Sequence, residues 1–342
     1  MQVNNLVETG SVRVDLVGGT LDIHPIQLIL PEVVTINVAT SLVAKAFIEK
    51  TDSDLLEIHS NDYDKDYRFT RDEMMLFDNE FSDHFHEMKF ICLILKSFEV
   101  FSGVKLTLQS GSPAGAGLGG SSAMGITLAK ALNRFCKTNL TQTELFKRVQ
   151  AIECRILNQG VAGYQDYWPA LKGGVLAIHP HFQDVRVEQL YSSDLVQFLE
   201  THMTLVYSGQ TRQSGINNWE VYKGFFDGNV QMRQGLLDIA KISQRVYQAM
   251  SVKDYQQVLA GIAQEGEARA KLFPNITTDA IKKFYAELCS RVPTIAGLKM
   301  CGAGGGGCFL ILHAGHAKQD VVNYVKNHAY MKLLEFKIVA PL

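Results

Sequence analysis

The segment Gly115-Ala-Gly117-Leu-Gly119-Gly120-Ser121-Ser122 constrains this chain more than any other. It follows a strand-like run, Val104 to Leu108, and precedes an apolar stretch from Ser122 to about Cys136, so the pattern predicts a strand, a glycine loop and a helix. Glycine lets consecutive backbone N–H groups turn inward, and a helix N-terminus adds roughly half a positive charge. Phosphate is the natural ligand of such a loop. The same glycines would also permit a tight strand-to-helix turn with no ligand, but Ser121 and Ser122 place two hydroxyls at the first helical turn, where they can donate to a phosphate or ligate Mg²⁺.

Two common phosphate loops are disfavoured. Gly115, Gly117 and Gly120 formally spell G-x-G-x-x-G, yet Pro113 sits in the turn and no acidic residue lies about 20 positions on to hold a ribose. A Walker loop needs Gly-Lys, and that dipeptide is absent from the chain.

Hydrophobic periodicity organises the rest. Val12 to Val17, Val33 to Ala39 and Ser41 to Ile48 read as strands, residues 86–101 as a helix, and Thr141 with Glu144 as a capping box opening a helix to about Asn158. A short strand follows at Val175 to Ile178. Residues 231–250, 252–268 and 277–290 read as helices, and Phe309 to Leu312 and Leu334 to Val339 as strands. With 342 residues the chain suits two modest domains. The boundary is expected in the polar, irregular stretch around Asp184 to Ser193, giving domains 1–185 and 186–342.

Composition narrows the function. Lys+Arg 33 against Asp+Glu 35 leaves a net charge of −2, which gives no footprint for nucleic acid. No apolar run reaches the roughly 18–20 residues of a membrane span and no signal-peptide pattern opens the chain, so a cytoplasmic protein without membrane association is expected. The 6 cysteines are scattered without CxxC or zinc spacing and are expected as free thiols.

Several residues outside the loop carry chemistry. Glu153 falls on the apolar stripe Leu145, Val149, Ile152 and Ile156 of its helix, and a buried carboxylate there needs a partner: a metal ion, or an Arg or Lys. Gly302-Ala-Gly304-Gly305-Gly-Gly307 is costly in conformational entropy and runs at once into an apolar strand, which suits close approach of backbone to a ligand.

These segments together resemble the GHMP kinases, the family of galactokinase, homoserine, mevalonate and phosphomevalonate kinases. Pro113-Ala-Gly-Ala-Gly117-Leu118-Gly119-Gly120-Ser121-Ser122-Ala looks like the family's second motif. Arg13-Val-Asp-Leu-Val-Gly18-Gly19-Thr20-Leu-Asp22 looks like the first, and Lys299 to Leu310 like the third. Gly19 and Thr20 stand where galactokinases carry Glu-His, which disfavours galactose and resembles the fucose kinase and heptose-7-phosphate kinase branch. Tyr207 to Ser214, with Arg212, looks like a stretch of that same branch. Gly163-Tyr-Gln165-Asp166-Tyr167 resembles a sugar-kinase segment in which many relatives carry Gln at the position of Tyr167.

The resemblance implies a two-domain α+β fold, ribosomal-S5-like in the N-terminal domain and ferredoxin-like in the C-terminal one. It further implies ATP and Mg²⁺ as cofactors and a sugar or sugar phosphate as substrate, with transfer of the γ-phosphoryl group to a hydroxyl, the anomeric one first. Asp166 would act as base with Arg13 beside it; Ser121 and Glu153 would hold Mg²⁺. The nucleotide would lie against Pro113, Gly115, Gly117, Leu118, Gly119, Gly120, Ser121, Ser122, Gly302, Gly304 and Gly305, and the acceptor against Gly19, Thr20, Asp22, Gln165 and Arg212. An isoprenoid-pathway kinase and a catalytically silent sugar sensor are the alternatives. Joint presence of Asp166, Arg13, Ser121 and Glu153 speaks against silence, since a sensor needs no base.

Overall fold

The computed structural model describes residues 5–77, 79–157, 162–182, 184–210 and 216–342. Its strands are β1 (Asn5–Val17), β2 (Thr35–Lys50), β3 (Leu55–Ser60), β4 (Lys65–Thr70), β5 (Val104–Gln109), β6 (Val175–Pro180), β7 (Val185–Gln189), β8 (Met203–Tyr207), β9 (Ile295–Met300), β10 (Cys308–His313) and β11 (Lys332–Leu333). Two compact units are built from interleaved segments: Met1–Val12, Leu42–Pro113 and Gly120–Leu171 in the first, and Arg13–Ser41, Ala114–Gly119 and Lys172–Leu342 in the second.

In the first unit the latter half of β2 pairs antiparallel with β5, Lys45 opposite Gln109. β3 lies parallel to β5 and antiparallel to β4. The helix Gly120–Phe135 is buried over most of its surface and packs with Lys89–Ser97 and Gln142–Leu157. Gly125 makes that approach possible, since a Cβ there would meet Phe90 Cζ at 2.6 Å and Val149 Cγ1 at 2.8 Å. The expected helix 86–101 is shorter, because Glu99 turns left-handed at φ 58° and the Val100 amide reaches back to Leu95 O at 3.1 Å.

In the second unit the first half of β2 pairs with β6, Thr35 opposite Ile178, and β6 pairs with β7. The strands expected at 33–39 and 41–48 are thus one strand, whose polar centre is tolerated because the Ser41 amide bonds Lys337 O at 2.8 Å. The polar stretch after Asp184, expected as irregular, holds β7, a five-residue strand whose apolar alternation is limited to Val185 and Val187.

A separate antiparallel sheet runs β11-β8-β10-β9, with Cys308 opposite Tyr207 and Phe309 opposite Met300. The apolar run of β10 is buried along its whole length. Helices Val230–Ser251, Tyr255–Leu272 and Asp279–Arg291 are capped by Asn229, Asp254 and Thr278, which moves the expected helix 252–268 later in the chain. Leu236, Ile239, Ile281, Phe284 and Leu288 from these helices bury against Val206, Phe309 and Ile311 of the sheet. The expected strand 334–339 is absent: β11 ends at Leu333, and Ile338 makes only an isolated bridge to Thr40. Among the described residues no helix is long and apolar enough to cross a membrane. All 6 cysteines are free, and burial pushes the Cys301 thiol up to about 12.

Candidate active site

The second unit carries both glycine loops and the Arg13-to-Asp22 segment. Arg13 and Asp15 point to one side of β1 while Val12, Val14 and Leu16 point to the other, the period-2 alternation of a strand. Arg13 holds the segment before the helix: its amide donates to Leu118 O at 3.0 Å and its Nη1 to Gly117 O at 2.6 Å. Gly115, Gly117 and Gly119 all take positive φ, near 70°, as do Gly304 and Gly305, and Gly302 takes φ 58°.

The two loops touch through their backbones. A Cβ on Gly117 would lie 2.8 Å from Cys301 O, and one on Gly302 would lie 2.8 Å from Gly117 O. Cys308 N–H donates to Ala116 O at 2.8 Å, and Gly305 N–H to Ile276 O at 2.8 Å. These contacts fix the loop backbones against one another and against the rest of the unit. Pro113 and Gly115 are exposed, and Leu118 is buried. Gly19 is half-buried, whereas Thr20 and Asp22 are buried; Thr20 Oγ1 has no hydrogen-bond partner among the described residues. Arg212 lies outside the described residues.

Behind these loops stands a group of buried charges that the sequence reading did not single out. Lys299 Nζ sits 3.0 Å from Asp15 Oδ2 and 2.8 Å from Glu265 Oε2, with all three side chains fully buried. Arg269 Nη1 lies 3.6 Å from Asp15 Oδ2. Burial alone would raise the Asp15 carboxyl, but Lys299, Arg269 and Arg13 outweigh it and hold the group below its ordinary range. The available signals were weak: Asp15 shares a strand face with Arg13, and Glu265 and Arg269 are spaced i,i+4 on one helix.

The first unit carries the acidic centre. Glu153, on the helix Gln142–Leu157, accepts from Ser122 Oγ at 2.9 Å and from Tyr167 Oη at 2.6 Å, both at Oε2. Its hydrogen-bond partners are hydroxyls, where the stripe position suggested a metal ion, or an Arg or Lys. Burial raises the Glu153 carboxyl against the pull of Tyr167 and Ser122, with Asp166 adding to the rise and Ser121 opposing it. A neighbouring cation would offset that rise by favouring the charged carboxylate. Among the described residues no group of three or more His, Cys, Asp or Glu side chains that could hold a metal ion gathers.

Gln165 is buried and Asp166 half-buried in the turn before the helix Trp168–Lys172. Tyr167, the residue that departs from the sugar-kinase pattern, is fully buried and packs on Phe146 at a centroid distance of 5.4 Å. Its substitution for Gln was visible in the sequence; the bond it makes to Glu153 was not.

The described architecture is a mixed α+β fold. Residues 87–174 match the family model for the GHMP kinases N terminal domain. The chain is similar to the mevalonate kinase of Pyrococcus horikoshii, 23% identical over 66% of this chain and 64% of that protein. A shorter stretch, 32% of this chain and 12% of the relative, is 33% identical to the L-fucokinase/L-fucose-1-P guanylyltransferase of Bacteroides fragilis. Among solved structures, the Methanococcus jannaschii mevalonate kinase superposes with a TM-score of 0.77 at 19% identity, covering 99% of this chain and 100% of that one. A D-glycero-D-manno-heptose 1-phosphate kinase from Bacteriodes thetaiotaomicron gives 0.73 at 20% identity, covering 98% and 97%.

Proposed function

We propose that the chain transfers the γ-phosphoryl group of MgATP to a hydroxyl of a sugar or sugar phosphate. The observation that carries this reading is the apposition of two positive-φ glycine loops, 115–119 and 302–307, clamped by Arg13 at Gly117. Backbone amides freed of side chains suit phosphate oxygens, and Gly120, Ser121 and Ser122 open the following helix at its positive end.

Ser121 and Glu153 would hold Mg²⁺, which supplies charge neutralisation on the phosphates. Asp166 would orient the acceptor hydroxyl and take its proton as the acceptor oxygen bonds to the γ-phosphorus and the bond to the β-phosphate oxygen breaks, releasing ADP. Arg13 would stabilise charge on the transferring group. Positioning and charge supply most of the acceleration, and no covalent intermediate with the protein is needed.

The acceptor class is read from the buried polar residues Thr20 and Asp22, which suit several hydroxyls better than one apolar alcohol. A heptose 7-phosphate or fucose, phosphorylated at the anomeric hydroxyl, is the preferred acceptor, and the 33% identity to a fucokinase stretch supports it. The wider coverage by mevalonate kinases favours a second reading, an isoprenoid-type alcohol.

An ADP-release assay decides between them. MgATP is offered with free sugars, sugar phosphates, homoserine and mevalonate, with Asp166→Asn alongside. Turnover on a sugar, lost in the variant, is expected; turnover on mevalonate alone would move the chain to the second reading, and nucleotide or sugar binding without any transfer would favour a sensor.

A further inference from the structure

Four charges that have no role assigned above lie buried in the second unit. Lys299 is the penultimate residue of β9, three residues before Gly302. Asp15 sits on β1 two residues after Arg13, and Glu265 and Arg269 lie on the helix Tyr255–Leu272. Buried ion pairs are weak devices for stability, because desolvation offsets most of their attraction; similarly shaped apolar side chains often do as well. Their geometry has more to say.

Glu265 and Arg269 are tied to backbone, and Asp15 and Lys299 link them. Glu265 Oε1 accepts the Gly18 amide at 3.2 Å, at the turn that leads to Thr20 and Asp22. Asp15 lies under the same turn, so close that a Cβ on Gly19 would come within 2.7 Å of Asp15 Cγ. Arg269 donates from Nη1 to Met300 O at 2.9 Å and from Nη2 to Gly302 O at 2.5 Å, gripping the start of the third loop. Lys299 closes the circuit by bridging Asp15 and Glu265. Gly266 lets the helix lie flush on β9, with Lys299 Cα only 3.2 Å from where its Cβ would be.

We propose that Asp15, Glu265, Arg269 and Lys299 are positioning residues for phosphoryl transfer, a strut that sets the Gly18-Gly19 turn and the Gly302–Gly307 loop in one register. The inference rests on the kinase reading of these loops. The turn presents the residues assigned to the acceptor and the loop those assigned to nucleotide phosphates, so the strut couples where the two substrates are held. A misplacement on the order of 1 Å in such a site costs about 10²-fold in rate. Because the four groups form a chain, their effects should be non-additive, as for residues sharing one network.

The test uses the full chain. Lys299→Met alone leaves Glu265 without its cation and risks unfolding, so the informative variant is the charge-balanced double Glu265→Gln/Lys299→Met, which removes the bridge and leaves Asp15 paired with Arg269. Arg269→Lys is its companion, keeping charge while losing the fork that grips two carbonyls. Each folded variant is measured for kcat and KM with the acceptor found by the panel, and for amide exchange over residues 302–307 with and without MgAMPPNP. The expected result is a kcat about 10²-fold lower with acceptor KM little changed, and loss of the MgAMPPNP-induced protection seen in the wild type.

A folded double variant with wild-type kcat and wild-type protection would overturn the inference and show the strut to be structural only. Wild-type protein that protects the loop with MgAMPPNP yet turns over no acceptor would count against the kinase reading, while the exchange comparison still decides the strut. Failure of MgAMPPNP to protect residues 302–307 in the wild type would sink the strut's link to nucleotide.

Discussion

Tyr167 donates its hydroxyl to Glu153 Oε2 at 2.6 Å, and Ser122 donates to the same oxygen at 2.9 Å. Tyr167 is raised well above its ordinary value, by burial first and then by the Glu153 charge, so it stays a donor throughout the useful pH range. Tyr167→Phe keeps the ring and its packing on Phe146 and removes only the hydroxyl. Loss of one bond to a charged acceptor costs about 1.5–3 kcal/mol. The variant is therefore expected to fold with a lowered Tm and to need more Mg²⁺ for half-maximal ADP release. An unchanged Mg²⁺ requirement would detach Glu153 from the metal.

Gly117 and Gly302 offer a backbone test of the phosphate cradle. Gly302 has φ 58°, and an added Cβ would press on Gly117 O at 2.8 Å. Gly302→Ala pays roughly 1–2 kcal/mol for a left-handed conformation before any displacement of the facing loop. The expected result is MgADP affinity reduced about tenfold or more, the equivalent of roughly 1.4 kcal/mol, read by calorimetry on folded protein. Wild-type affinity would remove the third loop from the nucleotide site.

Asp166 and Glu153 are expected to separate kinetically. Asp166→Asn removes a base and should lower kcat by about 10²–10⁴-fold with MgAMPPNP binding intact. Glu153→Gln keeps the acceptor for Tyr167 and Ser122 but loses the charge, so nucleotide binding in Mg²⁺ should weaken. Equal effects of both variants on binding would reverse or merge the two assignments.

The legible parts of the fold were those written in local pattern. Strand, glycine loop and helix around residue 115 follow from glycines between two apolar runs, and Thr141 with Glu144 does form the capping box, with Thr141 N bonded to Glu144 Oε2 at 2.8 Å. β7 offers only Val185 and Val187 as an apolar signal, too short to stand out among polar neighbours, and the expected strand at 334–339 reduces to an isolated bridge from Ile338 to Thr40, a partner almost 300 residues away. The same limit applies to the site. Glycine loops announce themselves by composition, whereas the Lys299–Asp15 pair joins positions 284 apart and leaves no spacing to read.

His313 gives the chain a pH-dependent stability that is independent of catalysis. Its side chain is fully buried on β10, with Nδ1 3.0 Å from Ala314 O and Nε2 2.9 Å from Thr204 Oγ1. A neutral ring donating from Nδ1 satisfies both, with Nε2 accepting from the threonine hydroxyl. Burial holds the imidazole down to about 4, from 6.5. Between those values the unfolded chain binds a proton that the folded chain refuses, so stability rises with pH at up to about 1.4 kcal/mol per pH unit. The contribution is fully present above about pH 6.5 and lost as pH falls towards 4. His313→Gln should flatten this window relative to the wild type in urea unfolding at pH 5 and pH 7. Thr204→Val should instead lower stability at pH 7 by about 1–3 kcal/mol, since it leaves Nε2 without its donor. Parallel pH profiles for His313→Gln and the wild type would show that the ring is not the group that titrates.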